Sequence, residues 1–319
     1  MSGASAIESA FRTSERRLWG LCYRMTGVAA DADDLVQEAF VRAVEAPASL
    51  DGGDLERWLV RVATNLSLDS LRRRRRRRYH GPWLPSPLET GETPVEVSEA
   101  VVTEAGGAAQ SVERAEQVSY AFLVALEALS PRARAVLLLV DVLDYPVAEV
   151  ARILETTEGN VRVLHHRARR TLERFDVEVV ASPGVRKRQR AALEKLLLCM
   201  INQDAAGMEA LLTDDVRSLT DGGGRYTALR EPLVGKAAVT RFHLETARRR
   251  APISRTELRW INGVAALVVV TRPLRPRMAP RLVLRCEVDA EGRIRELHTI
   301  LNPRKLTAVR FGEPGPAAA

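Results

Sequence analysis

Asp31-Ala-Asp-Asp-Leu-Val-Gln-Glu-Ala-Phe40, followed further along by seven consecutive arginines, Arg72 to Arg78, is the stretch that decides how this chain reads. The first part is acidic and amphipathic. Leu35, Ala39 and Ala43 recur one turn apart on one side of a helix. Asp31 stands as its cap, with Asp33 and Asp34 in the first turn, where the helix dipole favours anions. Trp58, Val62 and Leu66 carry the next apolar stripe, and the arginines follow it. Working outward, Leu18, Leu21, Cys22 and Met25 fall at i, i+3, i+4 and i+7, one buried helix face that Gly27 stops. Pro47 ends the acidic helix, and Asp51-Gly-Gly marks a turn. The first 80 residues are therefore expected to be helical. An acidic face suits a cationic protein partner, and the arginines suit phosphates. Seven successive side chains point all round a helix, so only two or three reach a phosphate backbone at once. A solvated, self-repelling block is the alternative reading.

The 319 residues leave room for two or three domains, and 46% of them are apolar, enough for buried cores. Lys and Arg number 48 against 41 Asp and Glu, a net +7. The excess is local: Leu55 to His80 holds nine arginines against Glu56 and Asp69. Such a patch favours nucleic-acid backbones or acidic membranes. No apolar run approaches the ~20 residues that span a bilayer, and the N-terminus lacks the apolar core of a signal peptide. Cys22, Cys199 and Cys286 lie far apart in apolar surroundings. They read as buried thiols of a reducing cytoplasm, with no disulfide framework and no metal site.

Residues 81–111 read as a linker. Gly81-Pro-Trp-Leu-Pro-Ser-Pro-Leu88 is too proline-rich for helix and too apolar for a free tail, so Trp83 is expected to pack on a neighbour. The rest is acidic, with seven glutamates against Arg114 between Glu89 and Glu116. Residues 112–178 return to helix. Phe122, Leu126 and Leu129 form a stripe, Ser130-Pro131 starts a helix, and Val136, Leu137 and Val140 continue the core. Val147, Val150, Ala151 and Leu154 then lead through a break at Thr156-Thr157 to a helix bearing Val161, Leu164, Ala168 and Leu172. Two short helices with a tight break, the second rich in cations, make the helix-turn-helix pattern. Its outward face offers Arg162, Val163, His166 and Arg167 for base edges, with Arg169 and Arg170 for phosphates. A helical hairpin with a solvated basic face is the alternative.

After Ser182-Pro183-Gly184 the character changes. A leucine-rich helix (Leu193, Leu196, Leu197) leads into Ala205 to Leu212. Asp221-Gly-Gly-Gly-Arg225 is a turn, and 235–250 is a helix. Strands are expected at Ile253–Trp260, Val264–Thr271, Arg281–Val288 and Arg293–Ile300, with Asn262-Gly263 as a hairpin turn and another turn at Asp289–Gly292. This is an α+β domain with a mostly antiparallel sheet.

The acidic segment, together with Tyr23-Arg-Met-Thr-Gly27, Trp58-Leu59 and Asn65-Leu-Ser-Leu-Asp-Ser-Leu71, resembles the core-polymerase-binding domain (sigma2) of bacterial sigma factors. The pair from Tyr145 to Arg170 is similar to their sigma4 domain, which reads −35 DNA. Two matching domains in order, with no middle domain, resemble the extracytoplasmic-function group. Gly81 to Leu88, Asp221 to Arg225 and Asn302-Pro-Arg-Lys-Leu306 look like signatures of its SigJ-like subgroup, which carries a C-terminal SnoaL-like domain of NTF2-like fold. Ser86 and Arg304 depart from that pattern, each standing where a carboxylate is usual. The resemblance implies a multidomain chain: sigma2 at 1–80, sigma4 at 112–178, the α+β NTF2-like cone at 183–311 and a disordered tail at 312–319. It implies a transcription initiation factor that binds core RNA polymerase on the largest-subunit clamp through Asp31, Asp34, Leu35, Gln37 and Glu38, although Leu35 and Phe40 also suit a core. The −10 element would meet Asn65, Asp69, Arg72, Arg73 and Arg76. Trp58 reads as core rather than as a stacking residue. The −35 element would meet Arg162, Val163, His166, Arg167 and Arg169.

The C-terminal domain would regulate in cis, through Trp83, Leu84, Asp221, Gly222, Gly223, Gly224, Arg225, Asn302, Pro303, Lys305 and Leu306. That place is otherwise taken by a separate anti-sigma factor, and none is expected here. A small ligand in its pocket is left open, and no cofactor is expected. For proton-transfer chemistry the only candidates are Asp221, His243 and His298. The structural reading of Asp221 is favoured and no enzyme activity is expected. Two rivals stand beside this reading. One is a polymerase-independent helix-turn-helix regulator with a ligand-sensing NTF2-like domain. The other is a SnoaL-like isomerase or cyclase with a DNA-binding front end, which leaves the segments before residue 80 without a role.

Overall fold

The computed structural model describes residues 3–45, 52–76, 79, 81–90, 120–175, 182–249 and 253–312. The chain makes two compact units, residues 1–78 with 95–179, and 79–94 with 180–319. The chain therefore leaves the first unit after its third helix, contributes a segment to the second, and returns.

In the first unit, α1 (Gly3–Thr26), α2 (Ala29–Glu45) and α3 (Gly52–Arg76) pack through the apolar faces read above. Leu18, Leu21, Cys22 and Met25 are buried, as are Leu35, Ala39, Phe40 and Ala43. Two boundaries differ from expectation. α2 begins at Ala29, so Asp31 lies within its first turn and is not the cap; the Thr26 hydroxyl instead accepts from Val28 N–H at 3.3 Å. Gly52 and Gly53 belong to α3 and not to a turn; Pro47 and Asp51 lie outside the described residues. The buried stripe of α3 runs through Leu55, Leu59, Ala63 and Leu66, with Trp58 and Val62 half-buried beside it. The helix continues through Arg72 to Arg76. Arg77 and Arg78 lie outside the described residues.

The same unit continues with α4 (Tyr120–Glu127), α5 (Pro131–Leu137), a π-helical turn (Leu138–Val142), α6 (Val147–Ile153) and α7 (Glu158–Leu172). Ser130 caps α5, accepting from Ala133 N–H at 3.3 Å, with Pro131 at the first helical position. An ionic knot joins these helices to the first three. Glu127 accepts from Arg74 and from Arg134, each at 2.5 Å, and Arg134 also donates to Met25 O at 2.6 Å. Burial holds the Arg134 pKa below its ordinary value, opposed by the adjacent Glu127 charge. Arg74 also donates to Thr26 O at 2.9 Å, so one arginine of the run is structural.

In the second unit, α8 (Pro183–Asn202) and α9 (Ala205–Leu211) precede a six-stranded sheet of order β2-β1-β6-β5-β4-β3. Its strands are β1 (Leu212–Asp221), β2 (Leu233–Val234), β3 (Ile253–Ile261), β4 (Val264–Thr271), β5 (Arg281–Val288) and β6 (Ile294–Ile300), with α10 (Lys236–Arg249) between β2 and β3. Only β1 and β6 are parallel. Asn262 (φ 50) and Gly263 (φ 76) make the β3–β4 turn; left-handed backbone at both positions is what a two-residue hairpin of this hand requires. β1 and β2 were not legible in the sequence. β1 alternates Val216, Ser218 and Thr220 inward, but Asp214, Asp215 and Arg217 break up its apolar content. Leu193, Leu196, Met208 and Val239 of the helices pack on Leu267, Leu284, Cys286 and Leu297 of one sheet face.

Candidate nucleic-acid interface

On α2, Asp34, Gln37 and Glu38 are exposed and Asp31 is half-buried, whereas Leu35 is 6% exposed. Leu35 is thus a core residue and cannot serve a partner directly, as its register with Ala39 and Ala43 dictates. Val41 and Val44, 51% and 68% exposed, extend the outward stripe, and sequence reasoning passed over both. Their signal was there: they follow Asp34 by seven and ten positions, two and three turns along the same side. Glu38 is paired with Arg42 at 2.9 Å, an exposed pair of small energetic weight. Asp33, also outward, accepts from Trp19 Nε1 at 2.6 Å.

On α3, Asn65, Asp69, Arg72, Arg73 and Arg76 are all exposed and fall at i, i+4, i+7, i+8 and i+11. They make one polar face, with Asp69 bonded to Arg72 at 2.9 Å. Trp58 stands two turns before Asn65 on the same side, half-buried.

The α6–α7 pair has the geometry of a helix-turn-helix. Thr156 N–H bonds to Ala151 O at 2.9 Å, Glu155 takes a left-handed backbone (φ 51), and the Thr157 hydroxyl caps α7 from Asn160 N–H at 3.2 Å. Val161 and Ala168 bury the inner face of α7. Arg162, Val163, His166, Arg167 and Arg170 lie on its outward side. Arg162 is paired with Glu158 at 2.7 Å. Arg169 is fastened by two bonds, 3.0 and 3.2 Å, to Asp141 on the π-helical turn, and His165 shares that carboxylate at 2.7 Å. Asp141 thereby ties α7 to the π-helical turn, and Arg170 is the more open cation of the pair. Asn160, exposed at the start of α7 and bonded to Thr156 Oγ1 at 2.8 Å, was not singled out from sequence.

In the second unit, the three signature segments meet around Asp221, whose side chain is wholly buried. Oδ1 accepts from Tyr79 OH and from Gly223 N–H, the latter at 3.1 Å. Oδ2 accepts from Leu84 N–H at 2.9 Å and from Lys305 Nζ at 2.6 Å. Lys305, 1% exposed, also donates to Leu84 O at 2.5 Å and lies 4.1 Å from the Trp83 ring centroid and 4.8 Å from that of Tyr79. A buried charge pair is costly unless its remaining donors and acceptors are satisfied, and the two rings supply a cation–π face. The glycines make room for this. Gly223 is left-handed (φ 57), and a Cβ there would collide with the Asn302 amide. Asn302 N–H donates to Asp221 O at 3.1 Å, its amide donates to Tyr79 OH at 3.0 Å, and its Oδ1 caps the 3-10 turn Pro303–Lys305. Leu306 is buried, whereas Gly224, Arg225 and Pro303 are exposed.

From this cluster the segment runs to the β3 edge with Pro85, Ser86 and Pro87 buried. Glu89 forms an antiparallel bridge with Ile261, and Thr90 N–H bonds to Trp260 O at 2.9 Å. Residues 81–90 are therefore an integral part of the second unit. The three proton-transfer candidates do not converge. Asp221 is sealed and saturated, and His243 bonds to Ser218 at 2.9 Å on the helix-packed face. His298 bonds to Glu296 at 2.8 Å on the opposite face, in register with Leu219. Among the described residues no group of His, Cys, Asp and Glu is placed to hold a metal, and no helix is long and apolar enough to cross a membrane.

Residues 10–77 match the Sigma-70 region 2 family and residues 119–172 match Sigma-70, region 4. The ECF RNA polymerase sigma factor SigJ of Mycobacterium tuberculosis is 31% identical over 306 residues, which cover 94% of this chain and 93% of that protein. The chain belongs to the extracytoplasmic-function sigma factors. SigG of the same species is 43% identical over 168 residues, 50% of this chain and 45% of that protein. The crystal structure of SigJ superimposes with a TM-score of 0.65 at 28% identity, covering 94% of this sigma factor and 98% of that chain. Helical N-terminal regions followed by an α+β, SnoaL-like domain of NTF2-like type are thus the architecture of this sigma factor.

Proposed function

We propose that this sigma factor docks on the largest-subunit clamp of core RNA polymerase through the outward stripe of α2, Asp34, Gln37, Glu38, Val41 and Val44. The α3 stripe from Asn65 to Arg76 takes the −10 element, its amide and carboxylate reading unpaired bases and its arginines tracking the backbone. Arg162, Val163, His166 and Arg167 of α7 meet −35 base edges, with Arg170 on phosphate. The reaction is the polymerase's; the sigma factor itself does no covalent chemistry and works in the cytoplasm.

The C-terminal domain gates these contacts in cis, in place of a separate anti-sigma factor. One observation carries this reading. The segment 79–90, which joins α3 to α4 of the first unit, is held in the second unit by the Asp221–Lys305 cluster. A domain that grips the connection between two DNA-reading regions constrains how far they separate. Run-off transcription would compare the full chain, a chain ending before Ser182 and Asp221→Asn. Differing activities are expected, and equal activity from all three removes the regulatory claim. Co-purification with core polymerase tests the docking claim separately: Asp34→Lys with Glu38→Lys should abolish it.

A further inference from the structure

The net positive charge of this sigma factor does not lie in its helical unit. Residues 1–78 with 95–179 contain 23 Lys and Arg against 25 Asp and Glu, a net −2; residues 79–94 with 180–319 contain 25 against 16, a net +9. Much of that excess gathers at one end of the sheet. β1 and β6 finish there and β5 begins there, so the loops 222–230 and 272–280 emerge side by side. They are joined by Thr227 N–H to Arg277 O at 2.9 Å.

The second loop reads Arg272-Pro-Leu-Arg-Pro-Arg-Met-Ala-Pro-Arg281, four arginines with no carboxylate. Arg275, Arg277 and Arg281 are exposed, as are Arg225 and Arg230 of the first loop. Among the described residues none of these five has an ion-pair partner; Arg225 and Arg281 lie only over the rings of Tyr226 and Phe311, at 6.0 and 5.3 Å. Arg277 takes a left-handed backbone, φ 69. That conformation is uncommon for a side chain of this size, and such outliers cluster at functional positions. Three prolines and the bonds from Thr271 to Pro280 O and Ala279 O, 2.8 and 2.9 Å, stiffen the loop, so little ordering entropy is lost on contact.

We infer that this arginine rim is a nucleic-acid contact of the C-terminal domain, taking the phosphate backbone of duplex DNA. The guanidiniums of Arg225, Arg230, Arg275, Arg277 and Arg281 suit the spaced charges of a duplex, and the loop from Arg272 to Arg281 carries no amide or carboxylate side chain to read a base edge, so the contact is independent of sequence. An acidic membrane is the other polyanion, but Leu274, 68% exposed, is the single large apolar side chain at the tip. One such residue is a weak anchor.

The test uses the full chain and a duplex lacking promoter sequence, with affinity measured by fluorescence anisotropy between low and moderate salt. Arg230→Ala, Arg275→Ala and Arg277→Asn are combined; asparagine tolerates the left-handed backbone. At about 0.9 per phosphate contact, the slope of log affinity against log salt should shrink by roughly 2–3. The matching triple lysine variant keeps the charge and should keep the slope, which separates lost charge from lost folding. An unchanged slope in the neutral variant overturns the inference. So does a lysine variant that behaves like the neutral one, or a loss confined to phosphatidylglycerol vesicles.

Discussion

Replacing Asp221 by Asn changes almost no volume and removes one charge, and the surrounding geometry sets the cost. The carboxylate accepts from four donors, two on each oxygen: Tyr79 OH and Gly223 N–H, then Leu84 N–H and Lys305 Nζ. An amide keeps one accepting oxygen, so two of those donors must face an NH2 group. Lys305, 1% exposed, is left without its counter-charge. Breaking a buried pair from one side costs about 3–5 kcal/mol, because the remaining charge stays desolvated. Lys305 reaches water most readily if Trp83 and Tyr79 lift away, which releases the segment 79–90 without unfolding the sheet. The Leu84 amide reports that release directly, since its N–H is bonded to Asp221. At about 1.4 kcal/mol per tenfold, the lower figure corresponds to Leu84 hydrogen exchange roughly 150 times faster in Asp221→Asn. Lys305→Met in the same background removes the stranded charge and should recover part of the protection, a non-additivity that a double-mutant cycle reads out. Leu84 exchange within about threefold of wild type, measured per amide by NMR or mass spectrometry, would refute the reasoning.

Glu127→Ala strands Arg134, 3% exposed, and removes the ion pair of Arg74; urea unfolding of the first unit, followed by tryptophan fluorescence, should show a loss of about 3–5 kcal/mol. Burial pushes the Glu296 pKa up, but the His298 bond and the nearby charges of His298, Arg217 and Arg295 outweigh it and hold the group below its ordinary 4.5. A depressed carboxylate stabilises the fold above that value and loses the contribution as pH falls through the folded pKa. Glu296→Gln should therefore flatten the acid limb of stability below pH 4.5, as thermal melts across that range would show. Burial pushes the thiols of Cys22 and Cys286 up to about 12, so only the half-buried Cys199 should react with a disulfide reagent in the native protein, slowly. Val41→Lys with Val44→Lys should weaken co-purification with polymerase at least tenfold without lowering Tm, because both side chains are exposed.

The sequence disclosed most where local chemistry and burial agree. Leu18 to Met25, Ser130-Pro131 and Asn262-Gly263 each specify one conformation, and each takes it in the folded chain. It disclosed least where tertiary pairing overrides local preference. β1 carries three aspartates and an arginine, and forms because β6 lies parallel beside it. Gly52 and Gly53 read as a turn, yet lie in the first turn of α3. Leu35 sits inside an acidic motif and is buried all the same, because its register belongs to the core. Trp83 was expected to pack on a neighbour; that the neighbour is Lys305, from the far end of the chain, is a fact of the folded state. Arg169 reads as a phosphate ligand, but Asp141 holds it from a π-helical turn that no local pattern announces.

The threaded connection limits how strongly the C-terminal domain can act. Coupling between two events cannot exceed the free energy that distinguishes the states they select. If polymerase takes the sigma factor only with 79–90 released, its affinity is reduced by whatever holds that segment, and polymerase weakens that hold by the same factor. The buried pair is the largest identifiable part of the hold. Its one-sided removal in Asp221→Asn weakens the hold by about 3–5 kcal/mol, so that variant can gain at most roughly 150- to 5,000-fold in polymerase affinity. Anything that binds the C-terminal domain and discriminates between held and released states moves the gate by no more than its own discrimination. Asp221→Asn should realise most of this gain at once, raising polymerase affinity while leaving any response to an added ligand small. A variant that exchanges rapidly at Leu84 but binds polymerase no better would separate the two facts: the segment is gripped, and the grip is not the gate.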